Sequence, residues 1–179
     1  MKQAILKAIS LWLVAVAITP TILNGAEPDN DALFRIERNK NANIVQYDAR
    51  IGANGLLHEK EPVVAYWVRL AEQGQVRKLS WSQRKFAYGF KVKLDNDENT
   101  ATIDMALNIG RNIMVKREND DYRAVIQING VASYLEKMFI HATGKGISTR
   151  LSYIELHGNA VNNGEEQYER IPPSEDRKS

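Results

Sequence analysis

Residues 100–109 read TATIDMALNI, and every second position is apolar: Ala101, Ile103, Met105, Leu107 and Ile109. Thr102, Asp104, Ala106 and Asn108 stand between them. Successive side chains of a strand point to opposite faces, so this spacing buries one face and wets the other. The same period recurs outward in both directions. Val45, Tyr47, Ala49 and Ile51 alternate with Ile44, Gln46, Asp48 and Arg50, and Tyr122, Ala124, Ile126 and Ile128 alternate with Arg123, Val125, Gln127 and Asn129. Phe34 and Ile36 give a shorter strand.

Val63 to Leu70 (VVAYWVRL) is apolar on both faces and predicts a central strand covered on both sides. Ser133 to Thr143 and Arg150 to His157 are two further strands, joined by a hairpin turn at Gly144-Lys145-Gly146. Gly52-Ala53-Asn54-Gly55, Gln73-Gly74, Asp95-Asn96-Asp97, Gly110, Asn119-Asp120 and Asn129-Gly130 punctuate the rest. The expected fold is mainly β, an antiparallel meander forming a barrel or sandwich. One stretch departs from it. Ser80 and Gln83 have capping-box spacing, and a short helix is expected over residues 80–88, ended by Gly89 in a left-handed conformation.

The first 26 residues have a different character. Lys2 and Lys7 precede an uncharged apolar run from Ala8 to Ile18, and Gly25-Ala26 supplies small residues ahead of Glu27-Pro28-Asp29. That order is a secretory signal peptide over residues 1–26, with a periplasmic or secreted product starting at Glu27. An uncleaved anchor would need about 20 apolar residues, and Pro20 interrupts this run well short of that. Removing residues 1–26 leaves 153 of the 179 residues, which suits one domain. The expected division is signal over 1–26, a single β-rich domain over 27–158 and a flexible polar tail over 159–179. In that tail Val161, Tyr168 and Ile171 are the larger apolar side chains.

Charge and cysteine content narrow the function. The chain carries 24 Lys+Arg against 22 Asp+Glu, and the signal removes two lysines, so the mature charges balance. A neutral protein offers no electrostatic case for nucleic acid. With no cysteine, disulfides, thiolate catalysis and thiolate metal sites are excluded. No Gly-x-Ser-x-Gly elbow is present, and the Gly-rich segments read as turns. Glu155, His157 and Glu136 are the best-placed metal-type residues, yet they read as the wet face of a hairpin. An outer-membrane barrel also alternates by twos, but it needs aromatic girdles, and only 8% of this chain is aromatic.

The remaining feature is an aromatic and basic cluster. Tyr66 and Trp67 lie mid-strand, Trp81 opens the expected helix, and Arg84, Lys85 and Tyr88 follow. Aromatic walls beside cations suit a pocket for an anionic or lipid-like ligand. The alternative is a helix plugging one end of the barrel, with Trp81 and Phe86 in the core and Arg84 and Lys85 in solvent.

The strings LFRIERNKNANIVQYDA (33–49), EPVVAYWVRL (61–70), LSWSQRKFAYGFKV (79–92), KMFIHAT (137–143) and YIELHG (153–158) resemble a bacterial exported family catalogued as domain of unknown function 4833. Gln83-Arg84-Lys85 with Ala87-Tyr88-Gly89 is the most specific part of the likeness, which spans about residues 32 to 158. The resemblance implies one exported domain and carries no activity with it. The expectation is therefore a non-catalytic ligand-binding or accessory module of the cell envelope. A protein-interaction component and an unrecognised hydrolase are the alternatives. The sequence implies no cofactor, catalytic group or metal. The expected partner is a small molecule or protein of the envelope, with no nucleic acid and no stable membrane span after signal cleavage.

Overall fold

A computed structural model describes residues 32–95, 99–144 and 150–173. The signal at 1–26 and the end of the tail at 174–179 lie outside the described residues, as do 145–149 in the expected hairpin turn.

The alternating segments form strands with the faces their spacing requires. They run β1 (Ala32–Arg38), β2 (Asn41–Ala49), β3 (Val63–Arg69), β4 (Gln75–Lys78), β5 (Phe90–Leu94) and β6 (Thr100–Met105). β7 (Ile113–Glu118), β8 (Asp121–Ile128), β9 (Val131–Thr143), β10 (Arg150–Ala160) and β11 (Glu166–Ile171) follow. In β6, Ala101, Ile103 and Met105 are buried while Asp104 is exposed. The strand stops at Met105, but Leu107 and Ile109 stay in phase and buried beyond it. At the β8–β9 hairpin Asn129 and Gly130 both take positive φ, 49° and 80°. That pair is what a two-residue turn between right-twisted strands demands.

The strands make one mixed sheet, curled into a half-barrel in the order β4-β3-β2-β1-β9-β8-β7-β6-β5. Here the structure departs from a pure antiparallel meander, because β1 pairs with β9 in parallel, Arg35 opposite Lys137 and Arg38 opposite Ile140. β10 pairs with β9 from Ser133 to Thr143. It therefore occupies one edge of β9, and β8 (at 131–134) and β1 (at 137–140) share the other. Alternation fixes which face a side chain takes and says nothing about which strand lies alongside.

β3 differs from expectation as well. Trp67 is buried on its inner face, but Val64, Tyr66 and Val68 on the outer face are only half-buried or less covered than that face would need. Among the described residues no second layer closes over that side, so the doubly apolar pattern does not mark a strand buried on both faces.

Part of the expected tail is sheet. β11 pairs with β10 from Ile154–Ile171 to Asn159–Glu166. Arg111 grips the Glu169 carboxylate with both terminal nitrogens, at 2.8 and 2.7 Å, and the Asn129 amide donates to it at 2.6 Å. Backbone pairing and this fork supply what sparse apolar content does not. Arg111 hydrogen bonding lowers the Glu169 pKa, burial opposes the shift, and the Asn129 amide adds to it. A carboxyl depressed on folding stabilises fully above the ordinary carboxylate range and loses that contribution as pH falls through its folded value. We predict that Glu169→Gln costs ~2 kcal/mol at neutral pH and that the two proteins converge in strong acid. Urea midpoints measured across pH check this, and a gap that persists in acid would exclude the ionic origin.

Candidate functional site

The half-barrel is open because β4 and β5, the ends of the strand path, do not pair with each other. Residues 79–89 cross between them and hold the helix. Ser80 caps it: its Oγ accepts from the Gln83 amide at 3.3 Å, and Gln83 Oε1 accepts from the Ser80 amide at 2.7 Å. One α-turn, α1 (Trp81–Gln83), passes into a π-helical stretch (Arg84–Tyr88). Buried Leu79 and Tyr88 anchor the two ends. Gly89 is extended rather than left-handed, φ −71°. It must be glycine for a different reason: a Cβ there would overlap the Arg84 carbonyl.

Beside the helix, between β3–β4 and β5–β6, lies a cleft of about 1010 Å³. Val63 and Ala65 from the inner face of β3, with Leu79, Phe90 and Met105, give it an apolar floor. Arg50, Lys78, Arg84 and Lys91 on its walls outnumber Glu61 and Asp104. Arg50 is paired with Glu61, and Lys91 sits opposite Asp104 in the β5–β6 register. Arg84 is turned toward β4 by a hydrogen bond from its Nε to the Leu79 carbonyl, 3.2 Å. Among the described residues neither Lys78 nor Arg84 forms an ion pair. The cleft therefore combines apolar volume with two cations that lack an acidic partner.

The six residues singled out in the sequence do not form one wall. Tyr66 and Arg84 line the cleft, and the Tyr66 hydroxyl donates to Asp48. Trp67 and Tyr88 lie in the core, 8% and 2% exposed, edge to face with ring centroids 5.5 Å apart. Trp81 is 70% exposed, with the Lys85 ammonium 4.8 Å above its ring. The split follows local geometry. Neighbours on a strand face opposite ways, separating Tyr66 from Trp67, and residues four apart on a helix share a face, pairing Trp81 with Lys85. The helix plug with Trp81 in the core is not what forms.

Sequence reasoning missed the cleft floor and the cations Arg50, Lys78 and Lys91. It also missed Arg38, whose signal was readable. Phe34, Ile36 and Arg38 are in phase, so a charge continues the buried face of β1.

The metal-type residues of the β9–β10 hairpin are engaged with other side chains. Burial works against the Glu155 carboxylate, but hydrogen bonds from Tyr168, Arg170 and His157 outweigh it and leave the pKa lowered. Glu136 instead accepts from Asn159. No group of three or more His, Cys, Asp or Glu side chains is placed to hold a metal ion among the described residues. No described helix is long and apolar enough to cross a membrane.

Fold and site together define a β half-barrel whose seam, bridged by a helix, opens into an amphipathic cleft. The chain matches the family described as Domain of unknown function (DUF4833) over residues 34–170, from β1 into β11, and belongs to that family. No curated protein and no solved structure matches it.

Proposed function

We propose that the protein is an exported, non-catalytic ligand-binding module of the cell envelope, and that its seam cleft takes a ligand with an apolar body and a negative charge. The observation that carries this reading is the cleft itself, apolar at its floor and edged by Lys78 and Arg84, which form no ion pair among the described residues. Binding pockets of this size combine apolar walls with a few polar groups that fix orientation. Export rests on the basic start, the apolar run and the small-residue exit of residues 1–26. It requires an intact mass beginning at Glu27.

The binding test uses 1-anilinonaphthalene-8-sulfonate, an apolar ring system with one anionic group. We expect saturable binding to the natively folded protein, and Ala106→Trp, at an exposed cleft position, to abolish it without changing the unfolding transition. Lys78→Gln with Arg84→Gln should weaken it about 10-fold, the loss of one charge-assisted contact. Undiminished binding to a folded Ala106→Trp variant would overturn the cleft reading.

A protein-interaction role draws on a separate observation. Leu70, Val76 and Trp81 are large apolar side chains exposed at or near the unpaired edge of β4. An open edge with apolar side chains is a template for strand addition. Arg77 and Lys78 on the same strand oppose it, so the cleft remains the stronger feature.

A further inference from the structure

Val63, Ala65 and Trp67 follow one another along the inner face of β3, and the first two line the cleft. Phe90 lines it from the opposite side, two residues beyond Tyr88. Trp67 and Tyr88 are the next residues inward from these lining positions; they lie in the core behind the cleft wall, where a third group joins them. The Arg38 guanidinium lies 5.6 Å from the Trp67 ring centroid and 5.3 Å from that of Tyr88. With 5.5 Å between the two rings, the three groups make a nearly equilateral triangle.

Each of them carries a buried polar atom with no hydrogen-bond partner in the protein: Arg38 Nε, Trp67 Nε1 and the Tyr88 hydroxyl. Buried polar groups are almost always satisfied, because leaving one unpaired costs its full desolvation. Three residues that each carry such an orphan have their guanidinium and rings packed together, a concentration that packing alone does not account for. Their chemistry is one-sided. A guanidinium N–H and an indole N–H can only donate, and a phenol donates readily. Arg38 has no carboxylate partner among the described residues. Arg38 is half-buried as a residue and borders the surface, while the three orphaned atoms are themselves covered, so an incoming head group has to move the Arg38 side chain to meet them.

We propose that Arg38, Trp67 and Tyr88 form an oxyanion-recognition site behind the cleft wall, taking the carboxylate or phosphate head of a ligand whose apolar chain occupies the cleft. This rests on the ligand-binding reading above and names the ligand class. Burial pushes the Tyr88 pKa up to about 12 against the opposing pull of Arg38. The phenol therefore stays a donor through the physiological range. The cations Lys78 and Arg84 at the walls attract the anion, and the triangle holds it.

The test titrates the full chain with decanoate, decyl phosphate, 1-decanol and inorganic phosphate. It follows the Trp67 indole N–H resonance by nitrogen-15 NMR, assigned by its loss in Trp67→Phe. Decanoate or decyl phosphate should shift that resonance, and whichever binds tighter identifies the head group. 1-Decanol should bind more weakly and leave the resonance in place, and inorganic phosphate should show whether the head suffices without a chain. Arg38→Gln should weaken binding of the anionic amphiphiles roughly 10- to 100-fold and leave 1-decanol unaffected. Tyr88→Phe should weaken the same ligands while raising the melting temperature of the unliganded protein by about 2–4 °C, because it removes an unpaired buried hydroxyl. A structural role for the hydroxyl predicts the opposite sign. Equal affinity for decanoate and 1-decanol, with no movement of the Trp67 resonance, would overturn the oxyanion site and leave the cleft reading intact. Failure of every chain-bearing probe to bind would overturn both.

Discussion

Gly158→Ala should lower the stability of the folded domain by about 4 kcal/mol or more, at the far end of what single substitutions do. Gly158 lies in β10 opposite Leu135, next to a register shift that leaves Glu136 as an extra residue in β9. A Cβ at this position falls well inside contact distance of the Tyr134 carbonyl and within 3.2 Å of Ile128 Cδ1. The carbonyl cannot retreat, because Tyr134 is paired on both sides, with Val125 of β8 and Asn159 of β10. The shift in β9 brings the backbones too close for any side chain, so the requirement for glycine is spatial and not a matter of φ. Gly130 provides the contrast. It has positive φ, 80°, and a Cβ there would meet nothing within 4 Å, so Gly130→Ala should cost only the left-handed penalty of about 1–2 kcal/mol. Urea unfolding of the two variants measures both. If Gly158→Ala costs no more than Gly130→Ala, the close approach of β9 and β10 is not the constraint described.

The same glycine shows where sequence reading stops. Alternation assigned inner and outer faces correctly for β6 and β8, because one buried face against water leaves a period-2 record. The record is local. It could not reveal that β1 runs parallel to a strand a hundred residues away, that β9 carries three neighbours, or that Gly158 is wedged against Tyr134. β11 was hidden for a related reason. Its stability comes from backbone pairing and one fork from Arg111, neither of which enriches the strand in apolar residues. The cleft depended on closure as well. Val63 and Ala65 face Phe90 and Met105 only because the two ends of the strand path curl toward each other. The capping box was legible because its donors and acceptors all lie within four residues. What joined Trp67 to Tyr88 was legible only as two apolar positions, and Arg38 between them only as a charge on the wrong face.

Trp67→Ala should destabilise the domain by roughly 3–5 kcal/mol, the range for truncating a large buried aromatic. The loss is more than hydrophobic area. Trp67 packs edge-on against Tyr88 and beneath the Arg38 guanidinium, so its removal takes away what the inner end of the helix rests on. The Tyr88 main-chain carbonyl is still held by the Tyr47 hydroxyl at 2.8 Å. That bond keeps the π-helical end near the sheet and confines the damage to the face that lost its ring. Amide exchange should therefore rise across residues 84–88 more than across β7 and β8, which lie away from Trp67 in the strand order. Arg84→Ala is the companion measurement. Arg84 is exposed and makes one side-chain hydrogen bond to the Leu79 carbonyl, so its truncation should cost about 0.5 kcal/mol or less. It should nonetheless weaken binding of the anionic naphthalene probe. The two residues differ in place, Trp67 supporting the seam from within and Arg84 lining the cleft. If Arg84→Ala proved as destabilising as Trp67→Ala, the helix would be held by its outer contacts. The cleft would then be a by-product of how the seam is braced and not a site kept open for a ligand.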